Sequence, residues 1–193
     1  MGLGKQLARL FSFAINIPDD IVGVWDSEKT YKVHDIVEHN GNYYYATTTT
    51  NDEPGTGEDW EDLGDSGFAR IGGVTNFSPS TEKNDADITD FDSDGWLEHL
   101  AASRGLSFEI EGFYVEDAET EARDPGQYLF EQLALAYGPH AVDVFRVKTP
   151  AEQNIDFEIS AECPPEGISG GGGNDDPAAW SATLTITGEP NIN

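Results

Sequence analysis

The chain has 193 residues, room for one domain with an insertion or for two small domains, and its 37 Asp and Glu against 10 Lys and Arg give a formal net charge of −27. An apolar fraction of 37%, with 10 Phe, 7 Tyr and 4 Trp, supports a packed core and excludes an acidic disordered tail. A carboxylate surface this dense repels phosphate and excludes nucleic-acid binding driven by counterion release. The acids are spread along the chain, a balance that suits a proteome working in high salt, where screening removes self-repulsion; an ordinary acidic mesophilic protein is the alternative.

At the start of the chain, Lys5 and Arg9 precede Leu10–Ile15. That stretch is too short for a secretory signal core and lacks a small-residue cleavage site. No run reaches membrane-spanning length, so a soluble protein made in the cytoplasm, with no membrane partner, is expected. Met1 to Arg9 read as an arm. Ala14-Ile15-Asn16-Ile17 reads as a strand, and so does Phe68-Ala69-Arg70-Ile71. Between them, Gly23 to Gly64 is dense in aromatics and turn residues. The two flanking strands make better sense joined to each other than to this cassette. The division is therefore residues 1–22 with 65–193 as a discontinuous host domain, and 23–64 as an inserted β-module.

Ser78 to Gly95 is polar and Asp-rich, with only Ile88 and Phe91 as apolar anchors, and reads as a loop. Leu106 to Glu116 alternates Leu106, Phe108, Ile110 against Ser107, Glu109, Glu111, the period of a half-buried strand. A helix follows: Asp124 is placed to cap it, Pro125 suits its first turn, and Tyr128, Leu129, Leu133 and Ala136 form an apolar face before Gly138. Ala141 to Lys148 and Ile155 to Ala161 alternate as strands. Pro164 to Pro177, with four consecutive glycines, reads as a flexible connection. Trp180 to Thr187 alternates apolar with Ser or Thr and is the clearest strand of all. Two long polar loops in so small a β-domain point to contacts between subunits.

Few residues form a chemical constellation. Asp90-Phe91-Asp92-Ser93-Asp94-Gly95 matches the opening of a calcium loop, but the twelfth position, where a bidentate Glu belongs, is Ala101. If calcium binds, Asp90, Asp92 and Asp94 are the ligands; no other cofactor is expected. His34, His39, His99 and His140 lack metal-ligand spacing, and Cys163 is alone. Gly170 to Gly173 has no following Lys-Ser/Thr to make a phosphate loop. The chain does not read as an enzyme.

Within the cassette, Trp25, Tyr31, Asp35, Val37, Gly41, Tyr44, Ala46, Pro54, Gly55 and Trp60 have a spacing that resembles the small chitin-binding type of carbohydrate-binding module. His34 stands where that family usually has Gly. The resemblance implies sugar binding by aromatic stacking on a pyranose face, with Tyr43, Tyr45, Trp25 and Trp60 as candidates. The family's exposed Trp pair is replaced by Thr47-Thr48-Thr49-Thr50. Trp25, Tyr44 and Trp60 also read as the core of a mini-domain, in which case Tyr43 and Tyr45, facing away from Tyr44 along a strand, are the residues left for exposed stacking.

The remainder carries Ile71-Gly72-Gly73-Val74-Thr75-Asn76-Phe77-Ser78, the Thr89 to Trp96 loop, Asp124-Pro125-Gly126-Gln127 before the helix, Val142 to Arg146, and a closing Ala182 to Pro190. In this order they resemble the major tail tube proteins of long-tailed phages and related archaeal viruses, with a haloarchaeal host suggested by the charge. The resemblance implies a mainly β fold, a sandwich or barrel with one flanking helix. It also implies hexameric rings stacked into a tube in the virion tail, other tail proteins at the tube ends, and DNA passing through the lumen without specific binding. On such a tube the inserted module would decorate the exterior, where host-surface glycans are its expected partners. A sugar-binding adhesin with a β spacer and a calcium-dependent surface-layer component are the competing readings.

Overall fold

The computed structural model describes residues 12–89, 96–148, 156–163, 168–171 and 178–192. Strands β1 (Ser12–Asn16) and β6 (Phe68–Arg70) pair antiparallel, Ile15 opposite Ala69. The two segments that the cassette separates in sequence are thus neighbours in one sheet. Between them lie β2 (Val22–Val24), β3 (Ile36–His39), β4 (Asn42–Ala46) and β5 (Trp60–Gly64), which form a separate four-stranded sheet in that order.

The chain continues through β7 (Val74–Asp87), β8 (His99–Phe113), helix α1 (Pro125–Leu135), β9 (Val142–Lys148), β10 (Asp156–Glu162), β11 (Ile168–Gly171), β12 (Ala179–Ile186) and β13 (Asn191–Ile192). The main sheet runs β6-β1-β9-β10-β12-β8-β7, with β11 added to β12 and β13 to β10. This sheet is rolled. Phe13 of β1 and Phe77 of β7 lie five strand positions apart, about 24 Å in a flat sheet, yet their ring centroids are 6.1 Å apart. The inner face carries Phe13, Ile15, Phe145, Val147, Ile159, Ala161, Ile110, Trp180, Ala182 and Leu184, all buried. A mainly β fold closed around its own apolar face, with one helix, is what the alternation predicts.

Helix α1 covers one opening of that roll. The Asp124 side chain accepts from the backbone N–H of Gln127 at 2.9 Å, Pro125 opens the first turn, and Leu129, Phe130, Leu133 and Ala134 are buried. Phe130 meets Phe145 edge-on at 5.9 Å and Trp180 at 5.8 Å. Ala136 is the C-cap rather than part of the buried face. Cys163 is buried in the core, and burial pushes its thiol up to about 11, so it stays protonated and unreactive at neutral pH.

Two expectations are corrected. Ser78 to Gly95 is not a loop throughout: β7 continues to Asp87, in register with β8 from Val74 opposite Gly112 to Asp87 opposite His99. Both faces of its outer half are exposed, from Glu82 to Asp87 and from His99 to Arg104. A ladder with two wet faces needs no hydrophobic alternation, so its sequence is polar. Likewise Ile168–Gly171, inside the presumed glycine connection, is a strand on β12. A Cβ at Gly170 would stand 2.7 Å from the Tyr114 hydroxyl, which explains a glycine in that ladder. Asp90, Asp92 and Asp94 and the Met1–Arg9 arm lie outside the described residues.

Candidate functional site

The inserted sheet has two differently covered faces. Its β3–β4 hairpin turns through Asn40 (φ 54°) and Gly41 (φ 83°), the left-handed pair that a two-residue hairpin turn requires. One face holds a small core of Tyr31, Val37, Tyr44, Ala46 and Trp60, with Trp25 packed against it. Tyr31 and Trp60 meet edge-to-face at 5.4 Å, and the Trp60 indole N–H donates to the Asp52 carbonyl at 3.0 Å. The hydroxyls of Thr48 and Thr50 donate to the Asp59 carboxylate at 3.1 and 2.8 Å. The threonine run therefore closes the module's own loop, with two of its hydroxyls committed to one carboxylate. Trp60 is buried within the module; Trp25 is half-buried, its indole nitrogen buried and its ring edge-on to His39 at 4.9 Å.

The opposite face of β4 does not meet solvent. Tyr45 is 0% exposed and belongs, with Ile36, to the main core of the host; Val22, Tyr43 and Leu63 pack beside them. Tyr45 donates its hydroxyl proton to the Arg123 carbonyl at 3.0 Å. Tyr45 is thus unavailable for stacking on a sugar, and Tyr43 is half-buried at the same seam. The alternation along β4 separates Tyr44 from Tyr43 and Tyr45, as expected, but the second face is covered by the body of the protein.

His34 sits at this seam with φ 79°. The position that takes Gly in the carbohydrate-binding resemblance is therefore one that needs the left-handed conformation. Here a larger side chain accepts that strain and makes contacts that Gly cannot. Its ring stacks on Tyr128 of α1, centroids 4.5 Å apart at 17°, and Nδ1 is 2.5 Å from the Tyr45 hydroxyl oxygen. Because the tyrosine proton goes to Arg123, the imidazole donates from Nδ1. Desolvation first, then the Arg123 guanidinium, lowers the His34 pKa, while Asp35 and Glu131 oppose the shift.

A folded-state pKa below the unfolded value of 6.5 contributes stability that is present above 6.5 and lost as pH falls below it. Wild-type melting temperature is expected to fall as pH drops from 7.5 to about 5.5, and His34→Asn, whose side chain tolerates the same backbone, is expected to flatten that dependence. Equal slopes in differential scanning calorimetry would show that His34 is not held neutral by the seam.

A second built junction ties the helix to the root of the β7–β8 hairpin. Gln127 is buried, its Nε2 donates to the carbonyls of Gly72 and Phe113 at 2.9 Å each, and its Oε1 accepts from the Val115 N–H at 3.1 Å. Asp124 also accepts from the Gly72 N–H at 3.0 Å. The segments Ile71–Ser78 and Asp124–Gln127, far apart in sequence, are one structural unit. They set the direction in which the hairpin leaves the body.

The outward face of that region is uniform. Across β7, β8 and β12, Ser78 and Thr183 flank Glu109, Ser181 pairs with Glu111, and Ser80 and Thr185 flank Ser107. Beyond it, the hairpin exposes Ile88 (48%), Leu100 (60%), Leu97 (74%) and Trp96 (78%). Among the described residues there is no cluster of three metal-ligating side chains, and no helix is long and apolar enough to cross a membrane. Sequence reasoning missed the outer hairpin; the exposed Trp96-Leu97 pair was its available signal.

No protein-family model matches the chain, and no curated protein matches it. Among solved structures it is similar to a chain of the virion of the native gene transfer agent (GTA) particle, with a TM-score of 0.50 and 20% identity, over 65% of this chain and 88% of that one. It is also similar to a chain in the tail of the empty GTA particle, of C6 symmetry, with a TM-score of 0.48 and 20% identity, over 74% and 91% of the two chains. At this identity, the likeness to the virion chain establishes a common fold.

Proposed function

We propose that this chain is a major tail tube subunit, a structural virion protein with no enzymatic role, that assembles into hexameric rings stacked around a DNA conduit. The observation that carries the reading is the fold it shares with a GTA virion chain, combined with a long hairpin for which the described chain provides no cover. β7 is also an edge strand of the main sheet. Such an edge, 14 residues long, is stabilised in a ring by a neighbouring subunit and is a liability in a monomer.

The hydroxyl and carboxylate face around Glu109 and Glu111 suits a lumen, because negative charge keeps the duplex off the wall and lets it slide. In this reading the protein resides in the virion tail of a long-tailed virus, meets other tail proteins at the tube ends, and uses its acidic surface in high salt. The inserted module decorates the exterior. Contact with host glycans would rest on Trp25 and the exposed margin of Tyr43, with Tyr45 and Trp60 as internal supports, and weak sites would gain strength from repetition along the tube.

Negative-stain electron microscopy across a salt series tests the assembly. Rings or hollow cylinders are expected in molar salt, where carboxylate repulsion is screened. A protein that remains monomeric at every salt and protein concentration would not be a tube subunit.

A further inference from the structure

The chain has only ten basic residues, yet two of them, Lys83 and Arg104, stand directly opposite each other on β7 and β8. Both are exposed, and among the described residues neither forms an ion pair. Like charges in direct cross-strand register destabilise a ladder, so the ladder itself gives no reason for the pair. Cβ atoms in such register lie about 5 Å apart, close enough for both cationic heads to close on one small anion. Thr81, two positions earlier on the same face of β7, adds a hydroxyl.

This face overlooks a cleft of about 750 Å³ between the ladder and the turn after β12. Leu106, Ile186 and Pro190, all half-buried, form its apolar floor. Glu82 and Glu189 also border it. Glu82 pairs with Gly105, so its side chain alternates to the other face of the ladder, and Glu189 is not within ion-pair distance of either cation. The volume is that of a small-molecule site, and two uncommitted cations beside an apolar floor suit a ligand of mixed character.

We propose that this cleft binds an organic phosphomonoester, its phosphate held between Lys83 and Arg104 and its apolar body laid on Leu106, Ile186 and Pro190. Arg offers a planar fork that matches two phosphate oxygens, and Lys a point charge for a third. A phosphate dianion neutralises both cations at once, which a single carboxylate does not. The net charge of −27 opposes the approach of any anion, but that repulsion acts at a distance and is screened at high ionic strength, whereas contacts within the cleft are screened much less. Bound there, the ligand fastens the β7–β8 ladder to the turn between β12 and β13. The site does not require the tube, nor the tube the site.

Phenyl phosphate is the probe. Its binding to the full chain is followed by amide chemical shifts in about 0.5 M salt, beside inorganic phosphate and benzyl alcohol, which carry the charge and the apolar body separately. Phenyl phosphate should bind about tenfold more tightly than inorganic phosphate, and the shifted amides should fall in residues 81–83, 104–106 and 186–190. K83Q/R104Q should weaken phenyl phosphate about tenfold or more, and K83Q or R104Q alone about threefold. Leu106→Thr should bring phenyl phosphate down toward inorganic phosphate and leave inorganic phosphate unchanged. Thermal melts confirm that each variant is folded, and the single changes keep the test valid if the double variant is not. A wild type that binds neither phosphate, or a K83Q/R104Q that binds as wild type does, overturns the proposal. Benzyl alcohol bound as tightly as phenyl phosphate, or equal affinity for the two phosphates, overturns it as well. So would a labelled DNA duplex that wild type binds and K83Q/R104Q does not, since the cations would then serve a nucleic acid. None of these results touches the tube reading, which electron microscopy tests separately.

Discussion

Gly73→Ala is expected to lower stability by about 3 kcal/mol or more and the melting temperature by roughly 6–12 °C. Two effects add. Gly73 has φ 68°, where a Cβ alone costs about 1 kcal/mol. The new Cβ would also lie 2.2 Å from the Phe113 carbonyl oxygen, 2.8 Å from Val115 Cγ2 and 3.0 Å from Gln127 Nε2. Phe113 is backbone and cannot rotate away, so the strand or the helix must shift, breaking bonds of a buried amide whose unsatisfied groups cost about 1–3 kcal/mol. Gly41→Ala is the matched comparison. Its φ is 83° with nothing within 4 Å of a new Cβ, so it should cost only about 1 kcal/mol. Chemical denaturation of the two variants separates conformational strain from the junction; equal losses would mean that the Gly73–Phe113–Gln127 contact is soft. If the junction aims the hairpin, Gly73→Ala should also assemble poorly under conditions where it is still folded.

Tyr45→Ala should be the most destabilising substitution in the inserted module, by about 3–5 kcal/mol, larger than Tyr43→Ala at the adjacent half-buried position. Tyr45 is fully buried between the module and the host core, and its hydroxyl bridges the Arg123 carbonyl and His34. Tyr45→Phe isolates the polar part and should cost about 1–2 kcal/mol, because it leaves both partners unsatisfied at a partly buried seam. Hydrogen exchange adds a spatial readout: Tyr45→Ala should raise exchange in β4 and α1 together. Exchange confined to β4 would mean that the module and the body are not joined through this residue. The same result bears on glycan binding, since any loss of retention in Tyr45→Ala would follow from module displacement and not from a missing stacking ring.

Much of this structure was legible in the residues themselves. Asp124, Pro125 and the apolar spacing of Leu129 and Leu133 determined where α1 begins and which face it buries. The Trp180–Thr187 alternation determined a half-buried strand, and Ala14–Ile17 and Phe68–Ile71, which read as strands of one sheet, pair there with Ile15 opposite Ala69. The module's own core of Tyr44 and Trp60 was readable from aromatic density. These features are local: capping, period and turn chemistry act within a few residues, and each leaves its mark in the order of the side chains.

What covers a face is not local, and only the tertiary structure decided it. Alternation distinguished Tyr45 from Tyr44 but carried no information on whether solvent or another sheet lay opposite, so a residue read as exposed is instead a buried pin. The outer β7–β8 ladder is the converse case. Its backbone hydrogen bonds hold it whatever its side chains are, and with water on both faces no apolar period is written into it. Gln127, read in sequence only as part of the segment before the helix, became a buried three-way connector because Gly72, Phe113 and Val115 converge on it from segments that only the fold brings together.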